Sequence, residues 1–159
     1  MADARFEDGD EGPLHLLAQE AADVTVLSAL VQDAVLPLAE MKLDRPRRRF
    51  AALLNRFRWE DREAAERAGR PFERVRSLLT VDGVLSARTM GIDLREKEAV
   101  LSVLSLDWLP GEDGSGRLTL VLAGDGAVAL QVEALDLRLE DVTKPYLAPS
   151  RKMPSHGTD

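Results

Sequence analysis

The sequence contains no cysteine, only two histidines, a single asparagine and 4% aromatic residues. Without cysteine there is no disulfide framework, no thiolate-held zinc or iron–sulfur centre and no thiol nucleophile. Having only His15 and His156 argues against a histidine-based triad or a multi-histidine metal site, and no cofactor or metal is expected. So few aromatics argue against a stacking platform for single-stranded nucleic acid. No apolar run reaches 18 residues and the first residues are acidic, so neither a membrane span nor a secretory signal is expected.

What is present is ordinary for a globular chain: 159 residues, 45% hydrophobic and 31% charged. That length predicts one domain. Residues 1–12 carry five acids and no apolar period and read as a disordered acidic arm. Residues 13–143 read as a single β-rich domain. Residues 144–159, with Pro145, Pro149 and Pro154, read as an extended tail docked in part through Tyr146 and Leu147. The expected setting is cytoplasmic.

The net charge of −7 hides a basic stretch, because residues 42–76 hold 12 Lys or Arg against 6 Asp or Glu. An acidic body with one basic segment disfavours duplex binding but permits a local site for a small anion. Arginine outnumbers lysine 17 to 4, a bias that GC-rich coding produces without any ligand. A solvated face is therefore the alternative to a site.

Apolar periodicity predicts a strand at Leu14–Ala18 and a helix over residues 24–33, with Asp23 as its N-cap. It then predicts an edge strand from Val35 to Lys42 and a long strand from Arg47 to Trp59. Asp82-Gly83 and Asp125-Gly126 are hairpin signals, and the glycines of residues 111–116 read as a hairpin loop. Together these predict an α+β fold dominated by strands. An antiparallel barrel or sandwich of eight or nine strands with one N-terminal helix fits them. Phe50–Trp59 and Ala99–Trp108 are alike, and Ile92-Asp93-Leu94-Arg95 echoes Leu135-Asp136-Leu137-Arg138, which points to a duplicated three-strand meander.

Six residues stand out as candidate ligand or partner contacts. Asn55 is an amide in an apolar strand and needs partners. In an extended Arg47–Trp59, Arg56 and Arg58 fall on one face about 7 Å apart, close enough to grip a carboxylate or phosphate unless Glu60 satisfies them first. Arg49 lies in the same basic strand, and Gln32 and Asp33 close the helix where they can also cap it. No pair of acids or nucleophile–base spacing marks a catalytic site, and Asp93 and Asp136 read as solvent-facing.

Leu27–Leu36 (LSALVQDAVL) and Arg48–Glu60 (RRFAALLNRFRWE) resemble an alphaproteobacterial family known only as a domain of unknown function. The likeness continues through Phe72–Val75, Gly91-Ile92-Asp93, Ala99–Leu104 and Pro149–His156. Thr89-Met90 departs from the Arg-Gly pattern of that family. The resemblance implies a bacterial cytoplasmic protein and no particular activity. Its best-marked stretches contain Gln32, Asp33, Arg49, Asn55, Arg56, Phe57 and Trp59. Two functions then compete. One is a non-enzymatic binding or protein-interaction module, dimeric or with another protein partner. The other is an enzyme or binder that uses carboxylates and arginines on a small phosphorylated metabolite.

Overall fold

A computed structural model describes residues 13–147, so the acidic arm over 1–12 and the tail beyond 147 lie outside the described residues. The chain enters through β1 (His15–Ala18) and α1 (Ala21–Val31), which buries Val24, Leu27, Leu30 and Val31 at helical spacing. The N-cap is Glu20 rather than Asp23. Asp23 lies inside the first turn, where its carboxylate accepts a hydrogen bond from the Gln19 amide at 3.4 Å.

The expected strand from Val35 to Lys42 is two strands, β2 (Val35–Pro37) and β3 (Met41–Asp44), separated by a 3-10 turn at Leu38–Glu40. β2 is not an edge. It bridges β4 (Arg49–Phe57) and β7 (Val100–Pro110), touching β4 only where Val35 faces Asn55. The long strand is shorter than expected at both ends. Arg48 sits at φ 53°, and Trp59 opens a 3-10 turn that runs into α2 (Arg62–Ala68).

The remaining strands are β5 (Glu73–Asp82), β6 (Val84–Met90), β8 (Gly116–Leu122), β9 (Gly126–Val132), β10 (Leu137–Asp141) and β11 (Tyr146–Leu147). All eleven belong to one antiparallel sheet, and the protein is a strand-dominated α+β fold whose sheet does not close into a barrel. The order is β1-β10-β5-β4-β2-β7-β8-β9-β6, with β3 paired to β4 and β11 to β5.

A hairpin does form at Asp125-Gly126, between β8 and β9, but its left-handed turn residues are Gly124 and Asp125, and Gly126 already opens β9 opposite Leu122. No hairpin forms at Asp82-Gly83. β5 pairs with β4 and β10, whereas β6 pairs with β9, so Gly83 (φ 73°) is a corner at which the chain passes from one half of the sheet to the other. The Val84 amide donates to the Arg48 carbonyl and the Glu133 amide to the Gly83 carbonyl, which holds that corner. β7, β8 and β9 form a meander, whereas in the earlier segment β4 and β5 pair and β6 leaves them. Trp59 and Trp108 are half-buried, each packed on the margin of the core. One continuous core joins both halves beneath α1, which packs against β1, β4 and β7.

Candidate functional site

Arg56 and Arg58 do not stand at an open strand end. Arg56 is 0% exposed, and its guanidinium donates twice to Glu60, at 2.8 Å each, once to Asp141 at 3.0 Å and once to Ser77 at 2.8 Å. Burial opposes its charge, but the hydrogen bond to Glu60 and the charges of Glu60 and Asp141 outweigh that, holding its pKa above the ordinary arginine value. Arg58 pairs with Glu73 and lies 3.4 Å from Asp61, whose two oxygens also accept a forked pair of bonds from Arg70. Asp141 additionally accepts from the Leu14 amide at 2.8 Å and from the Ser77 hydroxyl at 2.6 Å. This network ties β1, β4, β5, β10 and the start of α2 together. The N–H groups of Arg56 all donate within the protein, so this guanidinium crosslinks the strands around it.

The other arginine is paired as well, and the helix-end residues are held through their backbones. Arg49 sits opposite Asp82 across β4 and β5 and donates to it at 2.7 Å; that bond and the Asp82 charge raise its pKa at an exposed position. The Gln32 carbonyl accepts from the Trp59 indole at 2.9 Å. Asp33, at φ 66°, donates its amide to the Val103 carbonyl at 2.9 Å and turns the chain out of α1. Asp93, on the loop after β6, is held below the usual carboxylate range by hydrogen bonds from the Arg95 side chain and then its backbone, which close an exposed turn. Asp136 instead offers its carbonyl to the Asp82 amide, so the two aspartates occupy unlike surroundings.

Asn55 is a sequence-selected residue that lines a concavity. β3 pairs with β4 as far as Ala52 and β2 begins at Asn55, which leaves Leu53 and Leu54 without a strand partner on that flank. A notch of about 190 Å³ occupies the gap, edged by Asn55, Glu40 and Arg76. The Asn55 Oδ1 is buried there without a hydrogen-bond partner.

A larger cleft, of about 530 Å³, opens between the β3–β4 hairpin, β6 and β9, and the loop that precedes β7. Its buried floor comes from Leu38 (5% exposed), Phe50 (4%) and Val128 (2%). Lys42, Arg45 and Lys97 line its mouth, all exposed, and no acidic residue lines it. Among the described residues no carboxylate forms an ion pair with any of the three. The volume lies in the range of small-molecule sites, and an apolar floor beneath a few polar groups is their usual construction.

Residues 14–156 match the family described as a protein of unknown function, DUF2948. The chain belongs to DUF2948. Neither the curated proteins nor the solved structures yield a match. The DUF2948 match runs from the residue before β1 to beyond β11, so it covers the ion network, the notch and the cleft alike.

Within this DUF2948 fold the cleft residues are the ones sequence reasoning missed. Lys42 and Arg45 lie inside the basic stretch, which was the available signal. Lys97 has none, because it reaches the cleft only through the path of residues 91–99 between β6 and β7.

Proposed function

We propose that this protein is a non-covalent binding module whose ligand is a small anion held in the cleft between β3–β4 and β6–β9. The observation that carries this reading is the sign of the wall: three cations and no acid, on a chain of net charge −7. A charge run with a structural purpose finds partners, as Arg56 and Arg58 do; the cleft cations have none among the described residues. Arg56 is not available to a substrate in this reading, since its guanidinium already donates to Ser77, Phe57, Glu60 and Asp141. The arginine bias and the family motifs favour an alphaproteobacterial, cytoplasmic setting for this binder.

The test uses anilinonaphthalene sulfonate, an anionic fluorophore with an apolar body, on the native full-length chain. The wild type is expected to bind one equivalent, and Lys42→Glu with Arg45→Glu and Lys97→Glu is expected to abolish that binding while the melt is retained. Equal binding by the triple variant sinks the reading.

A further inference from the structure

We infer that the ligand of the cleft is an amphipathic carboxylate: one anionic head on an aliphatic body, of the size of a medium-chain acyl acid. The inference rests on the cleft being the binding site and adds what the site selects.

The depth profile separates two kinds of wall. At the bottom, Leu38, Phe50 and Val128 are almost fully buried and come from three different elements, and Phe50 and Val128 belong to the continuous core. Met41 and Leu43 are half-buried above them, and the charged residues stand only at the mouth. A ligand that fills this shape places hydrocarbon below and charge above. At about 30 Å³ for each water-sized group, the cleft of about 530 Å³ accommodates roughly 18 non-hydrogen atoms. A ten-carbon acid fits within that limit.

The head is a single small anion rather than a polyphosphate. Polyphosphate sites present runs of backbone amides at helix N-termini or in glycine-rich nests. The cleft lining contains no glycine and no α-helix; its cationic donors are three separate side chains, from β3, the turn before β4 and the loop before β7, joined by the Thr89 hydroxyl on β6. Two of them are lysines, half of the four in the whole chain. Lysine acts as a compact charge on a flexible stem, suited to following a head group whose depth varies with chain length.

Calorimetric titration of the full-length protein with decanoate, octanoate, decanol and inorganic pyrophosphate tests this. Decanoate is expected to bind at one site. Octanoate, shorter by two methylenes, is expected to bind roughly 15-fold more weakly, from about fourfold per methylene. Decanol is expected to bind at least tenfold more weakly than decanoate, and pyrophosphate not to compete. Lys42→Gln with Lys97→Gln is expected to weaken decanoate at least tenfold and to leave decanol unchanged. Equal affinities for decanoate and decanol, or no change in the double variant, overturn the inference as adsorption to apolar surface. Fluorophore binding that the triple variant loses, without decanoate binding, leaves the cleft as a site and overturns the carboxylate. Loss of both overturns the cleft as well.

Discussion

Cationic side chains gather in two regions of this molecule, and the two are opposites. At one end of β4, three arginines are locked by Glu60, Asp61, Glu73 and Asp141, with Arg56 wholly out of solvent. Across the sheet, Lys42, Arg45 and Lys97 face an open cleft that no acid lines. The first arrangement depends on its pairing, since desolvated charge is tolerable only when paired. The second costs nothing to leave unpaired, because its charges remain in water. Exposure and pairing, rather than local charge density, separate a structural cluster of cations from a receptive one.

The largest expected effect lies in the network. Arg56→Ala leaves Glu60 and Asp141 as buried charges without their partner and should destabilise the protein by about 3–5 kcal/mol in urea unfolding. Adding Glu60→Gln to that variant should cost less than Glu60→Gln alone, with a coupling of about 0.5–3 kcal/mol. Additive costs would break the picture of one linked unit. A middling effect is expected for Arg70→Ala, which deprives buried Asp61 of a forked pair while Arg58 remains beside it, at about 1–3 kcal/mol. Lys42→Gln with Lys97→Gln should move stability by no more than about 0.5 kcal/mol, and a larger loss would erase the contrast between the regions. Smallest of all is Asp93→Asn. The Arg95 contact lowers the Asp93 pKa, so its contribution is present at neutral pH and is lost as pH falls below the ordinary carboxylate value of 3.8. The pair is fully exposed, and acid-titration melts of variant and wild type should coincide.

Much of the fold was legible because it is written in short-range periodicity. Val24, Leu27 and Val31 mark α1, and the alternation through Leu118, Leu120 and Leu122 marks β8. The Asp-Gly pair failed as a signal once. At Asp125-Gly126 the flanking strands meet each other, whereas at Asp82-Gly83 they already have better partners in β4, β9 and β10. A turn dipeptide records a permitted backbone shape and not the identity of the neighbour. Glu60 was readable as a partner for Arg56, four residues away, but Asp141 was not, since it lies 85 residues along the chain. The cleft was illegible for the same reason, as Lys97 meets Lys42 only after β6 and β7 have taken their places.

The hydrogen bond from the Leu14 amide to Asp141 spans 127 residues. At a synthesis rate of 5–20 residues per second, its acceptor leaves the ribosome roughly 6–25 s after its donor. β1 is therefore made first and seated late, because β10 is its strand partner. Throughout that interval Leu14, Leu16 and Ala18 lack the cover they have in the finished core. For a chain on the ribosome, the start of the domain is the sticky end.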